Sequence, residues 1–316
     1  MAEYTKNLNL FEIGSDDNIG VEDSLEGNFQ KIDDKLGNAL TDANEKTYTD
    51  LGTRMNEEQV AVDKAIKDSQ TAMAREYNVV RDDLVHHTIA LRGFDMGVPE
   101  NTYSALLFAK QAGYWGIKTE LQLTSDRKWI CFTDATVDRV TNGTGTVASK
   151  TLAQMKALDA GTKIGGVFRA DERILTIEEF LWFCRDSNLT AYFELKVSLG
   201  ATDAANLIKA ITDNSMARRS AIISPNIPDL KLIRDLDKNL QVGYLTSVLN
   251  QVNIDYAKQV DNSFLYALWS QVTTANYRLA LGAGLQVDAW GPTKYIDVQT
   301  TIKNGARRVV TTAIPF

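Results

Sequence analysis

Imidazole, the side chain best suited to proton transfer near neutral pH, is scarce in this sequence, and its placement limits the chemistry on offer. The only histidines are the adjacent His86 and His87, and imidazole is the side chain whose ordinary pKa lets it pass a proton near neutral pH. Both precede the first strand-like run, so they are expected in a linker or beside the strand starts, as structural or exposed residues. Cys131 and Cys184 are too few for a disulfide framework and are expected as small core hydrophobes. Charge does accompany the apolar runs. Lys118 and Glu120 follow 114–117, while Glu194 lies inside 191–195 with Lys196 just behind it. Such groups can close an internal ion-pair network, or they can turn their cations toward an anionic ligand.

The elements that must position them alternate. Strand-length apolar runs at 88–91, 114–117, 129–132, 191–195, 221–223, 242–245, 264–268, 285–289 and 308–310 are separated by helical stretches. Over residues 87–316 this predicts an α/β fold, a TIM-type (β/α)8 barrel with a parallel sheet, in which ligand groups sit at the C-terminal strand ends. Most aromatics belong to the core of such a barrel; Trp290, at a strand end before Gly291 and Pro292, is the best placed to reach the mouth.

Residues 22–86 read differently. They hold no proline, and apolar residues return at three- and four-residue steps: Leu25, Phe29, Ile32, Leu36 and Leu40, then Val62, Ile66, Met73, Tyr77, Val80 and Leu84. This predicts an elongated α-helical coiled-coil stalk that self-associates as a homo-oligomer, with a trimer as the expected state, broken near Gly37 and Gly52. The alternative is a helical hairpin turning at Gly52. The expected organisation is 1–21 as an anchoring segment, 22–86 as the stalk and 87–316 as the barrel. Residues 1–85 carry 19 acidic and 9 basic side chains, a net of −10, which leaves +3 for residues 86–316 within the overall −7. A weakly basic barrel suits an anionic ligand and excludes an ordinary nucleic-acid binder. No apolar run reaches membrane-spanning length and the N-terminus has no signal-peptide pattern, so a soluble protein is expected.

Seven blocks in order make the barrel specific. They are Arg92-Gly93 with Pro99-Glu-Asn-Thr102 and Ser104–Ala109; Leu121–Asp126; Thr133-Asp134; Arg139–Gly145; Thr151–Lys156 and Leu175–Phe180; Phe193-Glu-Leu-Lys196; and Gly305–Thr312. Together they resemble the glycerophosphodiester phosphodiesterase family. The resemblance implies a divalent ion held by three carboxylates and two proton-shuttling histidines, because an anionic diester needs charge neutralisation and its alkoxide leaving group needs a proton. Carried over position by position, the histidines fall on Leu91 and Thr133, and the carboxylates on Lys118, Glu120 and Glu194. The family pattern is thus degenerate at Leu91, Lys118 and Thr133. Lys118 is expected to stand where the metal would, paired with Glu120 and Glu194. No catalytic residue and no metal or other cofactor is then expected; Ca or Mg enters only if the chain is an active enzyme.

The mouth implied by the resemblance contains Arg92, Glu100, Lys118, Glu120, Asp134, Glu194, Lys196 and Trp290. Residues 4–11 and 25–36 also resemble the start of phage tail fibre and baseplate proteins. The main expectation joining these is a virion-located phage tail protein of receptor-binding type, anchored to other tail proteins, whose pseudoenzyme barrel binds a phosphate-bearing wall polymer such as teichoic acid. One alternative is an architectural tail component with no ligand. A second is an active phosphodiesterase that degrades teichoic acid.

Overall fold

The computed structural model describes residues 88–94, 97–161 and 172–313, with Val60 and Lys64 as isolated positions. The chain divides into two compact units, Met1–Asn78 and Val79–Phe316. The anchoring segment, nearly all of the stalk, and His86 and His87 lie outside the described residues.

Eight parallel strands close on themselves: β1 (Thr88–Leu91), β2 (Gly116–Leu123), β4 (Thr190–Leu195), β5 (Ser220–Ser224), β6 (Gln241–Thr246), β7 (Ser263–Leu268), β8 (Val287–Trp290) and β9 (Arg308–Thr311). Each pairs with the next, and β1 joins both β2 and β9, so the barrel has no open edge. Helices α1 (Tyr103–Gln111), α3 (Ile177–Asp186), α4 (Ala201–Asp213), α5 (Ile227–Leu236), α6 (Gln251–Ala257), α7 (Thr274–Gly282) and α8 (Tyr295–Lys303) return the chain between successive strands. The (β/α)8 barrel expected from the alternating runs is therefore present. The run at 129–132 differs from expectation. It forms β3 (Trp129–Cys131), which pairs antiparallel with the end of β2 and stays out of the barrel wall.

Side-chain alternation sorts the strands into two faces. Ile117, Leu121, Ala191, Phe193 and Ile222 point outward into the core beneath the helices, whereas Ile89, Tyr192, Ile223, Phe264, Tyr266 and Val310 fill the interior. β2 runs past the predicted Ile117 to Leu123, buried along its whole length. Propensity hides this, because Lys118, Glu120 and Gln122 take inward positions where a hydrophobic scan expects apolar residues. β3, Val147 and α2 (Leu152–Lys156) build a satellite core of Ile130, Phe132, Val137, Val140, Met155 and Ile174. That small core carries Thr133, Asp134 and Arg139 alongside the end of β2.

Local signals fix the loops that carry the site. The Thr102 hydroxyl donates to Pro99 O at 2.7 Å and caps α1 by accepting from Ala105 N, which pins the intervening Glu100 and Asn101. Thr176 and Glu179 form a capping box at α3. Gly93 adopts φ +79°, and a Cβ there would lie 2.7 Å from the Ala105 backbone, so α1 approaches this turn only over a glycine. Arg92 beside it holds φ +54° and Asn101 φ +57°. Asparagine accepts the left-handed region readily; an arginine there is a strained residue held in place by its surroundings.

Candidate functional site

At the C-terminal end of the barrel, β2 and β4 run in register with Glu120 opposite Glu194 and Lys118 opposite Tyr192. Two carboxylates on neighbouring strands would repel in so dry a place. The Lys118 ammonium removes the conflict, with Nζ 2.6 Å from Glu120 Oε1 and 2.6 Å from Glu194 Oε2. All three are buried, at 3%, 1% and 9% exposure for Lys118, Glu120 and Glu194. Lys196 pairs with the other Glu194 oxygen. From the first turn, Arg92 reaches Glu120 Oε1 and Glu100 Oε2, each at 3.2 Å; its backbone N–H donates to Lys118 O at 2.7 Å, which sets the turn on β2.

Burial by itself drives the Glu120 carboxyl upward, but the nearby charges of Lys118 and then Arg92 outweigh it and hold the group at about 2. Glu194 is also held below the usual carboxylate range: burial raises it, and Lys118 and then Lys196 more than compensate. Because the folded pKa lies below the unfolded value of about 4.5, Glu120 contributes stability that is complete above that pH and disappears as pH falls toward about 2. The shift corresponds to roughly 3 kcal/mol. Urea unfolding of the full chain followed from pH 5 down to pH 2.5 should show this loss, and Glu120→Gln should flatten the dependence; an unchanged slope in that variant would contradict the pairing.

Two residues that sequence reasoning did not single out complete the arrangement. Asn101 is buried, accepts from the Thr119 hydroxyl at 2.8 Å, and donates to Thr133 Oγ1 at 3.2 Å and Glu120 Oε2 at 3.4 Å. Arg139, 49% exposed at its side chain, forks across two acids. It meets Glu100 at 2.7 and 2.8 Å and Asp134 at 2.5 and 3.2 Å, and these hydrogen bonds raise its already high pKa. Both lie inside quoted sequence blocks, and an asparagine directly after Pro99-Glu100 is the kind of residue that takes a left-handed turn. Their long-range partners left no local signal.

Of the residues expected at the mouth, Arg92, Glu100, Lys118, Glu120, Glu194 and Lys196 form one connected cluster. Asp134 joins through Arg139, while its backbone carbonyl accepts from Gln122. Trp290 stands apart, packed against the interior cluster with its Nε1 donating to Thr246 O at 3.3 Å. Leu91, also packed against that interior cluster, and Thr133 occupy the positions where the resemblance puts imidazoles. The Thr133 hydroxyl donates to Glu120 Oε2 at 3.0 Å and is therefore a positioned donor with no base function.

A divalent ion does not fit these residues. The described residues contain no group of three or more acids, histidines or cysteines arranged to hold one, and the space between Glu120 and Glu194 is taken by an ammonium. Free volume beside Glu100, Asn101 and Thr133 is small, about 10 Å³. A larger cleft of about 510 Å³ lies at the opposite end of the barrel, lined by Gln241, Asn262, Ser263, Gln286 and Arg307. Its guanidinium is already committed to the fully buried Asp288, at 2.8 and 2.9 Å. Chemistry and barrel geometry both favour the charged mouth as the site, despite the cleft's greater size.

Fold and site together define a closed parallel (β/α)8 barrel with a mouth of interlocked cations and carboxylates. Residues 92–314 match the model of the glycerophosphoryl diester phosphodiesterase family. A glycerophosphodiester phosphodiesterase of Caldanaerobacter subterraneus is 31% identical over 225 residues, covering 71% of this chain and 92% of that protein. Glycerophosphodiester phosphodiesterase 1 of Bos taurus is 32% identical over 156 residues, 48% of this chain and 46% of its own. Among solved structures, an Oleispira antarctica phosphodiesterase in complex with the product sn-glycerol-3-phosphate superposes with a TM-score of 0.67 at 23% identity, covering 72% of this chain and 94% of that one. The chain belongs to the glycerophosphoryl diester phosphodiesterase family.

These relatives correct the main functional expectation. The expectation of a phage tail receptor-binding protein directed at wall polymer joins short N-terminal likenesses at 4–11 and 25–36, which lie outside the described residues, to a barrel mouth that lacks the family's histidines. The likeness that spans nearly a whole relative is to phosphodiesterases of glycerophosphodiesters. The tail role drew on the part of the chain that the family match does not cover.

Proposed function

We propose that the barrel mouth takes the glycerophosphoryl group of a phosphodiester and cleaves the diester slowly. The substrate class is supported by the family and by the names its relatives carry. The observation that carries the reading is the charge arrangement: Arg92 and Lys196 keep part-exposed edges over the buried Lys118–Glu120–Glu194 set. An incoming phosphate meets the Arg92 fork and the Lys196 ammonium first. Lys118 beneath them neutralises carboxylates that would otherwise repel it.

Slowness follows from Leu91 and Thr133. With no imidazole at either position, proton transfer to and from the reacting oxygens falls to water, and each missing group costs about 10² to 10⁴ in rate. The same observation favours a second reading, binding of the glycerophosphoryl group without turnover. Incubating the full chain with glycerophosphodiesters, while measuring sn-glycerol-3-phosphate release and its binding by calorimetry, separates the two. Release with binding supports cleavage, binding alone supports the second reading, and neither overturns both. Arg92→Ala combined with Lys196→Ala should weaken sn-glycerol-3-phosphate binding by at least about 100-fold, at roughly 1.5–3 kcal/mol per charged hydrogen bond lost. Retained affinity in that variant would place the ligand elsewhere.

A further inference from the structure

We infer that Lys118 is the resident cation of this barrel, an ammonium fixed to β2 that occupies the place of a divalent ion and makes the mouth indifferent to divalent metals. Three observations converge. Nζ sits between carboxylates of two adjacent strands, 2.6 Å from an oxygen of each. Glu120 and Glu194 face each other in strand register, so the strands alone bring them to one point. Every remaining oxygen of the pair is also engaged: Glu120 Oε1 further accepts from Arg92, Glu120 Oε2 from Thr133 and Asn101, and Glu194 Oε1 from Lys196.

A calcium ion needs six to eight oxygens at about 2.3–2.6 Å, and a magnesium ion needs near-octahedral oxygens at about 2.0–2.1 Å. Here a divalent ion would have to displace a covalently tethered ammonium and approach Arg92 and Lys196 as well. A tethered cation also cannot be diluted or chelated away, so its neutralising effect is constant across ionic conditions that would empty a metal site. The inference rests on this charge geometry and not on the substrate, so failure of the glycerophosphodiester reading would leave it standing.

The test is a titration of the full chain with Mn2+, following loss of the hydrated-ion paramagnetic signal, with Ca2+ and Mg2+ as competitors. The unaltered chain should take up no Mn2+ at this point. Lys118→Glu, which adds a third carboxylate and removes the ammonium, should gain Mn2+ affinity by roughly ten-fold or more and recover thermal stability as the ion is added. Should that variant not fold, Lys118→Gln is read in the same way, with a smaller gain from the two freed carboxylates. Two results overturn the inference: uptake by the unaltered chain that disappears in Glu194→Gln, or a folded Lys118 variant that binds no better than the unaltered chain.

Discussion

Lys118→Met should destabilise the barrel by about 3–5 kcal/mol, the usual cost of removing one partner from a buried ion pair. Methionine approximates the length and apolar stem of lysine, so little packing is lost. What remains is Glu120 facing Glu194 on adjacent strands, both buried, with Arg92 and Lys196 only at the rim. One of the two carboxyls then takes a proton, and its pKa rises from below the ordinary range to above it. Urea unfolding at pH 7 reads the loss directly. The double variant Lys118→Met with Glu120→Gln should recover much of it, because the like-charge conflict is gone. A loss under about 1 kcal/mol in the single variant would mean that the ion pairs are far weaker than their geometry implies.

A second large effect is expected in rate. Leu91 lies inward on β1, in register with Lys118, and Thr133 touches Glu120 from the side of the satellite core. Leu91→His together with Thr133→His would put one imidazole in strand register with Lys118 and the other against Glu120. If slow turnover reflects missing proton transfer, the pair should raise sn-glycerol-3-phosphate release by about 10² or more. The activity should also acquire a bell-shaped pH dependence centred near the imidazole range. No increase, with ligand binding intact, would show that proton transfer is not what limits this mouth.

Much of the scaffold was legible because barrel strands write a local pattern. Eight of the nine apolar runs became barrel strands. The exception, β3, has the composition of a barrel strand; only its antiparallel pairing with β2 separates it, and pairing partners are not encoded within a short window. The extension of β2 was hidden by the very residues that make the site. Lys118, Glu120 and Gln122 break the apolar signal while keeping the strand alternation.

The site divides in the same way. Lys118, Glu120 and Glu194 were brought together by family order, and Arg92 by its block with Gly93. Arg139 and Asn101 carry no local signal of their role, because what defines them is a contact far along the chain: Arg139 with Glu100 39 positions away, Asn101 with Thr133 32 away. Trp290 stands part-exposed at the C-terminal end of β8 with its indole on Thr246 O, and it makes no contact to the charged cluster among the hydrogen bonds and ion pairs of the described residues.

Whether the charged mouth receives a glycerophosphoryl group is decided by a crystal structure of the full chain grown with sn-glycerol-3-phosphate. The phosphate is expected against Arg92 and Lys196 at the C-terminal ends of β1 and β4, above an undisturbed Lys118–Glu120–Glu194 set. Ligand bound instead in the cleft beside Gln241 and Arg307 at the other end of the barrel, or an empty mouth at saturating ligand, would contradict this placement.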